Sequence, residues 1–496
     1  MNEEDPPKHP EAQPPRAEGV TESERYLKEL CEKSFLSFWS YPAVYTDRGK
    51  TKPNGHGKEL CDLLVVFENH IIIFSDKDCE FPETGDLVRD WSRWFRRAVY
   101  KSAEQIWGAE RWIRENPNRV FLDRACTQKF PIEFPSAERA KFHRVVVAHG
   151  GSVRCRAELE GSGSLMLMPY IVGEDHMLGD NRSDVPRYVI PFAVGQLDPT
   201  RGFVHVLDDT SLDILLGARD TITDFVSYLS KKEEFIESGR LLSAAGEEDL
   251  LAFYLRQLNA NNEHDFELDE QYTHIAIAEG EWERFSATPE RIRQIDADRI
   301  SYLWDNIIER FTAHFMNGTS EFCSHTNYSD QEKLFRFFAR ERRFSRRMLS
   351  DQLLETFVRG QNGERYLRLR PPLQQGDPFY AFMTLKPSLD VFKSLENYRK
   401  ARRFYLESVC QVVRLVFPEA TDIVGLAFEP KDRQDSLSSE DAVYFDARTW
   451  NDELEAEAKE LQIKHKILTK ATAHRRSYQE YPHQASHDET SNDDVS

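Results

Sequence analysis

Residues 59–77 read ELCDLLVVFENHIIIFSDK. Two apolar runs flank Glu68-Asn69, which predicts a pair of buried strands joined by a tight turn. Runs this apolar belong in a core, yet the pair opens on a carboxylate, Asp62, and closes on an ammonium, Lys77. Side chains alternate faces along a strand, so Ser75 and Lys77 share one face and Asp76 points to the other. A two-residue loop at Glu68-Asn69 sets Asp62 opposite Ser75, on the Lys77 face. A loop one residue longer pairs Asp62 with Asp76 instead. The sequence leaves both registers open, and the register decides which charges meet.

Upstream, ESERYLKELCEKSFLSFWSYPAVY places Tyr26, Leu27, Leu30, Phe35, Phe38 and Trp39 at helical spacing. Ser23 is the expected N-cap and Pro42 the stop, with a strand starting at Ala43–Tyr45. Downstream, DLVRDWSRWFRRAVYKSAEQIWGAERWIRENP predicts an amphipathic helix. Its core stripe is Trp91, Phe95, Ala98, Ser102, Ile106, Ala109 and Ile113. HRVVVAHGG then predicts a strand ending in Gly-Gly. Helix, strands, helix, strand over 21–150 is an α/β domain. The rest divides into a leader, 1–20, a larger α/β or α+β region of one or two domains, 151–475, and an acidic tail, 476–496. Within the large region PFYAFMTLK and DIVGLAFEP read as strands and SLENYRKARRFYLESVCQVVRLVF as a helix.

In the first register a carboxylate and an ammonium converge at one end of the hairpin. A carboxylate there can hold Mg²⁺, a hard cation that keeps several waters. A nearby lysine can orient a water and stabilise charge growing on a phosphate. That is the minimum equipment for metal-assisted phosphodiester hydrolysis. A structural reading also stands: an ion pair at a sheet end, or charged gatekeepers of an aggregation-prone hairpin.

The order helix, strand with Asp, turn, strand ending in acid-x-Lys, helix resembles the PD-(D/E)XK restriction-endonuclease-like nucleases over residues 21–150. The spacing from Asp62 to Ser75-Asp76-Lys77 suits that family. The resemblance implies a mixed sheet flanked by helices and a nuclease dependent on Mg²⁺ or Mn²⁺. DNA rather than RNA would be the substrate, in defence against foreign DNA or in nucleic-acid processing. It makes Asp62 a metal ligand, Lys77 the residue that positions water, and Gln105 a polar group approaching the scissile phosphate. The sequence departs from the family where Ser75 replaces the acid two before the lysine. A subgroup with the same Ser-x-Lys form takes its acid from the next helix, where Asp90 stands; Glu59 and Glu32 are further candidate ligands. The alternative is a nuclease-fold binding or sensor protein without turnover.

The formal net charge is −20, so phosphate backbones are repelled on average and any nucleic-acid role needs local basic patches. Arg93, Arg97 and Lys101 form one on the helix after the hairpin. Arg340, Arg343 and Arg347 form another at helical spacing among phenylalanines, readable as nucleic-acid contacts or as a surface for an acidic partner. The seven cysteines are scattered without a CxxC, which argues against a disulfide framework or zinc cluster and fits a reducing cytoplasm. No apolar run reaches the roughly 18–20 residues that span a bilayer, and the N-terminus lacks a signal core. No complete P-loop, Gly-x-Ser-x-Gly or HExxH is present. A homo-oligomer is left open.

Overall fold

The computed structural model describes residues 21–483, apart from 51–54, 179–187, 269–270, 317–327, 362, 375, 431–439, 471 and 473–475. The expected leader lies outside the described residues. The described residues form two compact units, 21–297 with 479–483, and 298–478. Both are α/β, with mixed sheets flanked by helices.

The first unit opens with α1 (Glu22–Phe35), β1 (Ser40–Thr46), β2 (Lys58–Phe67) and β3 (His70–Asp78). Thr21, not Ser23, caps α1, in a capping box with Glu24. The helix stops at Leu36, whose φ of 66° no helix accepts, well before Pro42. A long helix follows as α2 (Leu87–Phe95), one π-helical turn (Arg96–Tyr100) and α3 (Lys101–Glu115). All seven residues of its predicted stripe are buried. Then come β4 (Val120–Phe121), β5 (Lys141–His149), α4 (Ser152–Leu159), β6 (Met166–Val172), β7 (Ala193–Gln196) and β8 (Val204–Leu207). The unit ends with α5 (Asp209–Ala218), α6 (Ile222–Glu237), β9 (Leu241–Ala244), α7 (Glu247–Arg256), β10 (Ile275–Ile277), α8 (Glu281–Ser286) and α9 (Pro289–Asp298).

One sheet runs β4-β1-β2-β3-β5-β8. Strands β1, β2 and β3 are antiparallel, while β5 pairs parallel to β3 and β8 parallel to β5. The boundary expected near 150 is therefore crossed: β8 completes the sheet from sixty residues further on. The hairpin has the two-residue loop, with Glu68 at φ 52° and Phe67 opposite His70. Continuing that register sets Asp62 opposite Ser75. Helices α1 and α6 cover the Phe74 face, where Phe35 meets Phe74 and Phe225. Helix α3 covers the Ser75 face, where Glu110 pairs with the β5 residue Arg144. A second sheet, β10-β9-β6-β7, lies in the same unit. The expected free tail is partly tied down: Tyr481 donates to the Leu255 carbonyl and Arg293 to that of Pro482.

The second unit holds α10 (Tyr302–Met316), α11 (Tyr328–Arg340), α12 (Arg343–Gly360), β11 (Arg365–Arg370), β12 (Phe379–Leu385), α13 (Leu389–Phe392), α14 (Leu395–Val416), β13 (Asp422–Phe428), β14 (Glu440–Asp446) and α15 (Asp452–His465). Its sheet runs β11-β12-β13-β14, and α14 packs its Leu406, Val409 and Val413 stripe onto it. The strands and helix expected from the sequence here fall on β12, β13 and α14.

Candidate active site

The hairpin strands part at Asp62. Their ladder ends at the Leu63–Phe74 pair, while β2 continues along β1 to Lys58 and β3 along β5 to Asp78. At such a fork the first backbone N–H beyond the ladder needs another acceptor. The Asp76 N–H finds it in Asp62 Oδ2 at 2.6 Å. The Ser75 hydroxyl lies 3.2 Å from the same oxygen and 3.3 Å from Gln105 Oε1. A hydroxyl has one proton and cannot serve both acceptors at once. Turning the Gln105 amide over lets it donate to Ser75, which leaves the serine proton for Asp62.

A second distortion lies one turn away on β2. Val44 pairs with Cys61 but Tyr45 with Glu59, leaving Leu60 as an extra residue. Strict alternation would put Glu59 and Asp62 on opposite faces. The bulge re-aims the strand, and both carboxylates line one cavity of about 600 Å³. Burial raises the Asp62 pKa to about 7; the Asp76 N–H opposes that shift, and the Glu59 and Glu24 charges reinforce it. Glu59 is raised as well, by burial and then by Glu24, while Lys77 pulls it down. These are carboxylates that gain by taking up a cation in place of a proton.

The structure brings Asp62, Ser75, Gln105, Glu59 and Lys101 to the cavity. Lys77 is exposed, on the Ser75 side of β3, with its charge felt by Glu59. Asp90 is not in the lining. Both of its oxygens are held at 2.7 Å by the Thr84 N–H and hydroxyl, which outweigh burial and hold its carboxyl below the usual range. Glu32 lies 3.9 Å from Lys28 on α1 and is also outside the lining. The acid on α1 whose charge reaches Asp62 is Glu24, two turns earlier. Asp76 faces the other way, onto His149 at 3.3 Å. His149 is in turn 2.5 Å from Asp209. Burial pulls the His149 pKa down, but these two carboxylates outweigh it and push it up to about 10.

Of the expected basic contacts, Arg93 is exposed outside the lining and Arg97 donates to the Glu80 carbonyl. Arg340 donates to the Gly376 carbonyl. Arg343 and Arg347 are buried, bonded to Asp305 and Asp298. Their charges are spent inside the second unit, which argues against nucleic-acid contact by these two. The sequence reading missed Arg48, Lys58, Arg111 and Trp112, all in the cavity wall. The visible signal was Lys101, Gln105, Gly108 and Trp112 at steps of four, three and four, a second stripe that runs beside the core one.

Among the described residues no group of three His, Cys, Asp or Glu side chains has metal-site geometry. The remaining set, Asp62 and Glu59 beside open space, fits Mg²⁺ bound through one or two carboxylates with water and substrate oxygens completing its shell. No helix among the described residues is long and apolar enough to cross a membrane. Comparison with protein-family models, curated proteins and solved structures gives no match.

Proposed function

We propose that the first unit is a Mg²⁺- or Mn²⁺-dependent nuclease, hydrolysing phosphodiesters at the fork between β2 and β3. The observation that carries this reading is the convergence of Asp62, Ser75 and Gln105 in a cavity that Glu59, Lys58, Lys101, Arg48 and Arg111 also line, with Lys77 on the same side of β3. The element order of the described fold agrees with the resemblance to PD-(D/E)XK nucleases. Asp62 and Glu59 would hold the metal, which supplies charge to the phosphate and acidifies a bound water. Asp62 is fixed by the Asp76 N–H and Ser75, so its free oxygen is aimed before substrate arrives. Lys77 hydrogen-bonds the attacking water and stabilises the negative charge that grows on phosphorus. Water oxygen bonds phosphorus, the bond to the leaving sugar oxygen breaks, and that oxygen takes up a proton. Lys101 and Gln105 face the phosphate from α3. DNA as substrate, a cytoplasmic location and a role against foreign DNA or in nucleic-acid processing belong to the same proposal.

A second reading has its own support. Ser75 replaces an acid, and no third carboxylate joins Asp62 and Glu59 with ligand geometry among the described residues. A nuclease-fold protein that binds nucleic acid without cutting it has the same walls. Incubating the protein with Mg²⁺ or Mn²⁺ and a panel of single- and double-stranded DNA and RNA, beside Lys77→Ala, separates the two. Cleavage lost in a folded variant supports hydrolysis. A wild type that cuts nothing, but binds in chelator, supports the binding protein.

A further inference from the structure

The cavity at Asp62 carries side chains that hydrolysis does not need. Arg48, Lys58 and Arg111 line it beside Lys101, and all four are exposed. None has an ion-pair partner among the described residues. Around them arginines are paired: Arg114 with Glu110, Arg119 with Asp47, Arg201 with Asp198. The chain has 85 acidic residues against 65 basic ones, so carboxylates were not scarce. The same wall holds the carboxylates Glu59, Asp62 and Glu104, so the four cations leave a small positive excess, and an anion that enters on their side meets it.

The wall also holds an aromatic. Trp112 is half-buried, its indole N–H already donating to the Arg119 carbonyl at 3.2 Å. What it offers a ligand is therefore its ring, over which the guanidinium groups of Arg48 and Arg119 lie 5.5 and 5.1 Å from the centroid. An exposed arginine on a ring can swing to a phosphate and leave the ring face to a base, which suits a nucleotide. Between them Gly108 leaves the floor open, since a Cβ there would meet nothing within 4 Å. This half-open hollow of about 600 Å³ takes a drug-sized ligand, or one or two nucleotides, at a time.

We propose that this cavity binds single-stranded nucleic acid, with backbone phosphates on Arg48, Lys58 and Arg111 and a base against Trp112. This rests on the nuclease reading only in placing the scissile phosphate at Asp62; the binding stands without turnover. It gives the site a strandedness that the sequence did not. A duplex would have to present an end, a gap or an extruded nucleotide.

The test is fluorescence anisotropy in EDTA with the full chain, so that nothing is cut. The probes are a labelled single-stranded DNA, the same sequence as RNA, and a blunt DNA duplex. The wild type should hold one or both single strands about tenfold or more tighter than the duplex. Arg48→Ala with Arg111→Ala should weaken that binding and flatten the slope of log K against log salt by about 1.4, for two lost phosphate contacts. Gly108→Leu should fill part of the cavity without lowering the melting temperature, since leucine favours a helix more than glycine does. Equal affinity for duplex and single strand overturns the proposal, as does full single-strand binding by Gly108→Leu or by the double variant. Cleavage of duplex in Mg²⁺ without single-strand preference leaves the nuclease reading standing and sinks this one. Single-strand preference without cleavage does the reverse.

Discussion

The buried arginines of the second unit and the cavity arginines of the first are used in opposite ways. In the second, Arg402 is fully buried with its Nε 2.6 Å from the equally buried Asp441, and Arg346 is buried against Asp305. In the first, Arg48 and Arg111 stand exposed around a cavity and meet no carboxylate among the described residues. The second unit's arginines crowd the sequence between 336 and 347, while Arg48 and Arg111 lie far apart in it. Density of positive charge along the chain thus points to the wrong unit. What marks a ligand-seeking cation is the absence of an internal partner, and partners are a property of the fold.

The largest effect should come from breaking a spent pair. Arg402→Ala leaves Asp441 charged in the core without its guanidinium, and removing one member of a buried pair costs about 3–5 kcal/mol. Urea denaturation should show that loss. Arg402→Met with Asp441→Ala, which removes both charges, should cost less than Arg402→Ala alone. An Arg402→Ala protein as stable as wild type would mean that the pair is not buried as described.

Next in size is the working cation. Lys77 is exposed and makes no hydrogen bond or ion pair among the described residues, only a longer-range attraction to Glu59, so Lys77→Ala should leave the melting temperature nearly unchanged. Cleavage in Mg²⁺ should fall by about 10²–10³-fold, the usual loss when one group that stabilises transition-state charge is removed. A variant that melts lower and still cuts would turn Lys77 into a structural residue.

Much of this site was legible in the sequence, and the illegible parts have physical causes. The hairpin could be read because strand alternation and a two-residue loop are local, and they left only two registers. The stripe of α2 and α3 could be read because helical periodicity survives a single π-helical turn. The bulge at Leu60 could not, since the extra residue shows only against β1. Without it Glu59 and Asp62 would point apart. Asp90 has the right position for a ligand, but Thr84, six residues earlier, holds both its oxygens. Arg343 and Arg347 looked exposed because Asp305 and Asp298 lie 38 and 49 residues earlier in the chain. The edge strand β8 arrives after the second sheet has begun, so composition gave no reason to carry the domain past 150.

His149 is a cation of the first unit that behaves like those of the second. It sits between Asp76 and Asp209, which push its pKa up to about 10, above its ordinary 6.5. A folded pKa above the unfolded one means that the native state binds the proton more tightly. The stabilisation is then complete below pH 6.5 and is lost as pH rises through about 10. It should amount to about 2 kcal/mol, allowing for partial exposure. Denaturation midpoints at pH 6 and pH 10.5 should differ more for the wild type than for His149→Gln. Equal differences would show that the histidine is neutral between its carboxylates.

The smallest effect is the one that completes the contrast. If Arg48 and Arg111 are held for a ligand, the folded protein loses little by their removal, only the contact of Arg48 with the Trp112 ring. Arg48→Ala and Arg111→Ala should each change stability by less than about 0.5 kcal/mol, as surface substitutions do. Their mutual repulsion makes a slight gain at low salt the expected sign, and salt should erase it. A destabilisation of the size expected for Arg402→Ala would mean that these cations have partners in the folded chain after all. The unpaired wall of the cavity, and the reading of it as a seat for phosphate, would then go together.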